Sequence, residues 1–226
     1  LWAEPRDLRG TLGLEIQQKL LIPRARVLKR VIDILLVIAF GIVALPLIAI
    51  IAGLIKLTSP GPAFFGQRRC GRKGEPFMAW KFRSMVADAN QALEQCLASD
   101  PALREEWRRS HKLRNDPRVT RLGRFLRRAS LDELPQFWNI LRGQMSFVGP
   151  RPIVAEEIDR YGVNYSLYKK VTPGLTGLWQ VSGRNNTSYE QRMNFDLYYV
   201  RNWSLWLDLH VLARTVKVVV LRDGAW

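Results

Sequence analysis

Residues Ile34 to Ile55 read ILLVIAFGIVALPLIAIIAGLI, 22 positions without a formal charge. As a straight helix this run is roughly 33 Å long, enough to match a bilayer core. A soluble helix of that length usually keeps a polar face, and this one has none. The run is not read as a secretory leader, because a mixed polar stretch precedes it and no small-residue cleavage site follows. Pro46 sits near its middle. It removes a backbone donor and crowds the carbonyl four residues earlier, so a kink is expected there. Arg24, Arg26, Lys29 and Arg30 precede the run, and Lys56, Arg68, Arg69, Arg72 and Lys73 follow it. Spanning helices usually carry their basic excess on the cytoplasmic side only. Two topologies stay open on the residues alone: a helix that bends at Pro46 and leaves on the side it entered, or a spanning helix with a tolerated proline.

The composition outside this run is that of a folded chain. Of 226 residues, 47% are hydrophobic, which excludes wholesale disorder. Lys and Arg number 35 against 20 acids, a formal net charge of +15, so partners are anionic: nucleic acid, phospholipid or a phosphorylated substrate. Nucleic acid is disfavoured, since neither a zinc-finger spacing nor an aromatic RNP motif accompanies the basic face. Cys70 and Cys96 lie in no C-x-x-C motif, which excludes a cysteine metal cage and points to a reducing compartment. The chain opens on Leu1 and is read as part of a longer protein.

Residues 1–26 read as the tail of an upstream region or a linker. Residues 27–226 read as one domain with a membrane helix over 31–57. Ser59-Pro60-Gly61-Pro62 forces a turn, and 63–85 suggest a small hairpin. Residues 87–113 are helical in pattern. Arg114 to Arg128 then reads as a basic amphipathic helix of the interfacial type, with Val119, Leu122, Phe125 and Leu126 on one face. Residues 203–222, opening on Trp203 and Trp206, read as a second one.

Chemistry concentrates in Ser130-Leu131-Asp132-Glu133-Leu134-Pro135-Gln136. Ser130 and Glu133 match a capping box, while Pro135 argues for a helix starting nearer Asp132. Either start puts Asp132 at a helix N-terminus, where a carboxylate stays ionised and phosphate is welcome. Gly143 to Pro152 reads as a loop whose prolines fix Arg151, suited to bidentate phosphate binding. Thr172 to Arg184 reads as a second glycine-rich loop presenting backbone N–H groups to anions. Neither loop matches a P-loop.

Seven ordered motifs in this chain resemble those of the bacterial sugar transferases, the monotopic phosphoglycosyl transferases. They are Lys29-Arg30-Val31-Ile32-Asp33 ahead of the proline-broken helix, Trp80 to Met85, and Asp116 to Thr120. Ser130 to Gln136 and Met145 to Pro152 follow, and Pro173–Arg184 with Asp196 to Val200 completes the set. One departure is visible. The family's helix break is often Ser-Pro, whereas Leu45 precedes Pro46 here and cannot return a hydrogen bond to the freed carbonyl.

The resemblance implies an α+β, mostly helical catalytic domain on the membrane surface, with a re-entrant membrane helix broken at Pro46 and interfacial amphipathic helices. It implies transfer of a hexose-1-phosphate, galactose favoured over glucose, from a UDP-sugar to undecaprenyl phosphate with release of UMP. That is the first membrane step of O-antigen, capsule or exopolysaccharide assembly. Asp132 would be the nucleophile, forming a covalent phosphosugar ester, with Glu133 beside it. Lys81, Arg127, Arg151, Gln180 and Arg184 would contact the nucleotide and its phosphates. Mg²⁺ would be held by Asp132 and Glu133, with Asp196 as a further candidate acid whose competing role is a structural contact. The implied location is the bacterial inner membrane, cytoplasmic face, with membrane lipids and a second copy of the chain as candidate partners and no nucleic acid. His111 and His210 are read as non-catalytic. The contrasting class is a non-enzymatic membrane tether for glycan-assembly enzymes, which would need the basic helices but not the acidic pair.

Overall fold

The computed structural model describes residues 3–7, 12–16, 19–110, 113, 116–183 and 187–221. The lead-in is not featureless: β1 (Ala3–Asp7) and β2 (Leu12–Ile16) pair antiparallel, with Pro5 opposite Leu14. Helix α1 (Pro23–Thr58) then runs for 36 residues. It starts at Pro23 rather than at 31, because proline's fixed φ is pre-set for a first helical turn. Pro46 lies inside this one helical span.

α1 shows why the apolar run decides the fold. Lys29, Asp33, Val37, Ala44, Ile51 and Ile55 are buried and recur at helical spacing on one face. Leu35, Ile38, Ile42, Val43, Leu45, Ile50 and Leu57 are exposed. Only 17% of its most apolar window is buried, and by length and composition it can cross a membrane. A row of exposed aliphatic side chains this long is costly in water and at home in lipid. α1 is therefore a membrane-associated helix.

The chain divides into two units. One comprises residues 1–42, 67–79 and 136–224, the other 43–66, 80–135 and 225–226. β3 (Phe64–Cys70) and β4 (Pro76–Phe82) form the expected small sheet. The second unit adds α2 (Ala89–Ser99), α3 (Pro101–Ser110) and α4 (Arg121–Arg128). Its core gathers Ile51 and Ile55 of α1 with Ala63, Phe82 and Leu126.

The first unit holds α5 (Phe137–Leu141), β5 (Ser146–Val148), α6 (Ile158–Tyr161), α7 (Tyr165–Tyr168), β6 (Gly174–Thr176), α8 (Leu178–Ser182), α9 (Tyr189–Asn202) and α10 (Leu205–Leu221). Asp208 is its polar hub. Lys29 Nζ donates to Asp208 Oδ2 at 2.6 Å, Trp203 Nε1 to the same oxygen at 3.0 Å, and the Tyr199 hydroxyl to Oδ1 at 2.6 Å. Lys29 is thus a buried ion-pair partner, not a free charge on the membrane flank. Asp33 likewise accepts from Ser146 Oγ and the Phe147 amide.

Two expectations about loops are corrected here. The stretches around Gly149 and Gly174 are the parallel pair β5–β6, Ser146 facing Gly174 and Val148 facing Thr176. The Gly149 amide donates to the Thr176 carbonyl, and the Gly174 amide to that of Pro150. Those N–H groups are spent on the ladder rather than offered to an anion. A Cβ on Gly174 would lie 2.1 Å from the Gly149 nitrogen, so glycine serves close strand approach.

Candidate active site

The acidic turn follows α4, and α4 is placed by the segment just after β4. Thr120 caps α4, its Oγ1 accepting from the Gly123 amide at 2.9 Å. Its own amide donates to the Ser84 carbonyl at 3.1 Å. A Cβ on Gly123 would stand 2.0 Å from that carbonyl oxygen, so only glycine lets α4 lie so near Ser84. The approach delivers Arg127, whose Nε donates to Ser84 Oγ at 2.9 Å.

Of the basic helix expected over Arg114 to Arg128, Arg114 lies outside the described residues, and the described helix is α4, beginning at Arg121. Pro117 and an isolated bridge between Met85 and Val119 hold residues 116–120 out of helix. Arg118 is not on a lipid-facing helical face. It grips Asp116 through Nε–Oδ1 at 2.8 Å and Nη2–Oδ2 at 2.6 Å, with its guanidinium 5.2 Å from the Trp107 ring centre. Burial pushes the Asp116 carboxyl up, but these bonds outweigh it and hold the carboxyl below its ordinary value.

After α4 the chain reverses at Ser130, whose φ of +55° is left-handed and costly for a non-glycine residue. That backbone is not the extended one an N-cap needs, so the expected capping box is absent. The turn Leu131–Gln136 is a short 3₁₀ helix with Asp132 and Glu133 in its first turn. Glu133 instead pairs with Lys81 Nζ at 2.5 Å. The Asp132 carboxyl is raised to about 6, first by burial, then by the Glu133 charge, against the opposing pull of Lys81 and Arg127. Burial lowers the affinity of the Arg127 guanidinium for its proton, and Asp132 and Asp116 restore part of it. A carboxylate with raised basicity, ionised at neutral pH and held near two cations, is equipped to attack an electrophilic phosphorus.

Two adjacent carboxylates also fit a hard cation that keeps most of its waters and shares substrate phosphates. Among the described residues no group of three or more His, Cys, Asp or Glu side chains could hold a metal. The fit is to a two-carboxylate site, and the like-charge crowding at Asp132 is what a bound cation would relieve.

The other predicted residues belong to the first unit. The Arg151 guanidinium lies 5.5 Å from the Trp179 ring centre, and that of Arg192 4.9 Å from the same ring. Trp179 Nε1 and the Tyr189 hydroxyl are buried without a hydrogen-bond partner among the described residues. Gln180 Nε2 donates to the Leu175 carbonyl at 3.0 Å. Asp196 is 2% exposed and accepts from the Tyr161 hydroxyl at 3.1 Å. Burial pushes its carboxyl up to about 8, the Tyr161 bond and the Arg151 amide drawing it back. Such a group is a buried hydrogen-bonding acid and not an open metal ligand. Arg184 and His111 lie outside the described residues, and His210 is exposed on α10.

Sequence reasoning missed Ser84, Gly123 and Arg192. Gly123 carried a readable signal. A glycine inside a short arginine-rich helix costs about 1 kcal/mol against alanine, which calls for a packing reason. Arg192 had none, because its neighbour on the indole is far away in sequence.

Known proteins bear on this arrangement. The family model described as bacterial sugar transferase matches residues 24–222. The chain is 50% identical over 214 residues to an undecaprenyl-phosphate galactose phosphotransferase of Salmonella typhimurium, covering 94% of this chain and 44% of that protein. It is 46% identical over 204 residues to the exopolysaccharide production protein ExoY of Sinorhizobium fredii, covering 90% of each. It is 42% identical over 199 residues to a UDP-glucose:undecaprenyl-phosphate glucose-1-phosphate transferase of Escherichia coli, covering 84% of this chain and 40% of that protein. The chain thus spans less than half the length of the first and third of these. The family match takes in the acidic turn, the segment that carries Lys81 and Ser84, and nearly all of both units. On that extent of agreement the chain belongs to the bacterial sugar transferase family.

Proposed function

We propose that the chain transfers a hexose-1-phosphate, galactose-1-phosphate first, from a UDP-sugar to undecaprenyl phosphate. The carrying observation is the strained acidic turn, its inner carboxylate crowded by burial and Glu133 and countered by Lys81 and Arg127. The relatives' names support the substrate class, and the 50% identity to a galactose phosphotransferase against 42% to a glucose one favours galactose.

In the first step an Asp132 carboxylate oxygen attacks the β-phosphorus of the UDP-sugar. The bond from that phosphorus to the bridging oxygen breaks, and UMP leaves with the electron pair. In the second step an oxygen of undecaprenyl phosphate attacks the same phosphorus, freeing the Asp132 carboxylate and forming undecaprenyl-diphospho-sugar. Division into two displacements lets one cationic site serve donor and acceptor in turn. Arg127, fixed on Ser84, and Lys81, fixed on Glu133, neutralise phosphate charge without reorganising. Mg²⁺, held by Asp132 and Glu133, would screen the diphosphate charge.

The same reading places both ends of α1 in the cytoplasm, with the helix re-entering at Pro46 of the inner membrane. The test of function is UMP release from a panel of UDP-sugars with undecaprenyl phosphate. UDP-galactose should give UMP, and Asp132→Asn should abolish it. UMP from UDP-glucose alone would move the sugar assignment, and no UMP from any member would overturn the reaction.

A further inference from the structure

At the start of α1 the first unit encloses a cavity of about 510 Å³. Arg26, Lys29, Arg30 and Arg72 line it, with Asp33 as its acid. Most of these charges are already committed. Lys29 is paired with Asp208, and Asp33 is bonded to Ser146 and Phe147. Arg30 donates through Nη1 to the Ile140 carbonyl and through Nη2 to that of Leu141 at 2.6 Å. Arg26 and Arg72 remain. Neither makes an ion pair among the described residues, and Arg26 Nε is buried with no hydrogen-bond partner there. Burial and the Arg26 charge both lower the proton affinity of Arg72, with Glu75 partly restoring it. Two guanidiniums crowd one cavity, and an anion between them would satisfy both.

The cavity's surroundings say what carries that anion. Val27 and Val31 line it and are exposed, and Leu28, Leu35 and Ile38 continue the apolar surface along α1. A cationic hollow at the foot of a lipid-facing helix stands at headgroup depth, with acyl-chain surface leading away from it. Guanidinium forks match phosphate oxygens bidentately. We propose that this cavity binds the phosphate headgroup of an anionic phospholipid, which Arg26 and Arg72 clasp while one acyl chain lies along Val27, Val31 and Leu35. The lipid is a structural ligand that fixes the depth of α1, and it takes no part in the transfer reaction.

Binding is read without turnover, so the result is independent of the proposed reaction. The full chain, in neutral detergent, is titrated with dihexanoyl phosphatidylglycerol, and complexes are counted by native mass spectrometry with thermal unfolding alongside. Saturable one-to-one binding and a raised Tm are expected. Binding should weaken at least tenfold in Arg26→Gln/Arg72→Gln, survive in Arg72→Lys, and be unchanged in Arg201→Gln, an exposed position of α9. If the double variant fails to fold, Arg72→Glu alone should abolish binding. Equal binding by wild type and by the Arg26 and Arg72 variants would overturn the site. Saturation by inorganic phosphate with the same arginine dependence would make it a free-anion site and overturn the lipid. Displacement of phosphatidylglycerol by equimolar undecaprenyl phosphate would make it an acceptor subsite and overturn the structural role.

Discussion

Burial and the Glu133 charge raise the proton affinity of Asp132, while Lys81 and Arg127 lower it. The pH dependence follows in sign. The Asp132 carboxyl ordinarily titrates at 3.8 and in the folded chain at about 6, so the folded state holds its proton longer than the unfolded one. Folding stability from this group is greatest below about pH 4 and falls as pH rises towards 6. Asp132→Asn should therefore be more stable than wild type at pH 7 by about 1–3 kcal/mol, read in denaturant unfolding, with the difference vanishing near pH 4. The same substitution should abolish UMP release, which separates loss of the nucleophile from loss of fold. Single-turnover UMP release should rise with pH to a plateau above about 6, because only the carboxylate attacks. Lys81→Met removes an opposing cation and should move that limb to higher pH. Glu133→Gln removes a like charge and should move it lower, along with any lowered rate. The acids and Arg127 were legible as residue types in a local pattern, whereas Lys81 came from the family resemblance alone. Ser84 was not, since a serine that anchors an arginine from another element has no local signature.

Between elements, close approach decides what each side chain can reach. Gly123→Ala drives a methyl into the Ser84 carbonyl, so α4 must shift and Arg127 with it. We expect a loss of about 1–3 kcal/mol in denaturant unfolding and a rise in KM for the UDP-sugar. Arg118→Ala should behave as a stability variant, because it orphans the Asp116 carboxylate and frees Trp107. Its retention on anionic vesicles should match wild type, whereas Arg121→Ala, fully on the outer face of α4, should weaken retention with rising salt. Asp208→Ala leaves Lys29 buried and unpaired and should cost about 3–5 kcal/mol, read as loss of folded yield. Helix α1 was legible from its unbroken apolar run, α10 from its amphipathic pattern, and the β3–β4 pair from short apolar runs around glycines. The parallel strands were not, because each is three residues long and its partner lies beyond local sequence. Glycines that permit strand contact look, in one dimension, like glycines of a loop.

At the scale of the whole molecule the apolar surface of α1 gives the chain its membrane-associated part. Single cysteines at exposed Arg24 and Lys73 should resist an impermeant reagent in intact cells, and label once the membrane is opened. Labelling of either from outside would require a spanning α1. Pro46→Ala should shift the balance toward spanning, seen as new labelling at one end. The two ends of α1 also belong to different bodies. Its stretch through Ile42 packs with the first unit, Val37 in that core, and from Val43 onward it packs with the second through Ile51 and Ile55. Chain synthesis delivers this helix before either unit is complete. Each unit is then expected to complete its core on its own stretch of α1. Trimming everything before Ser59 to obtain a water-soluble catalyst would strip a wall from both interiors at once. The chain's catalytic competence and its membrane residence are inherited together.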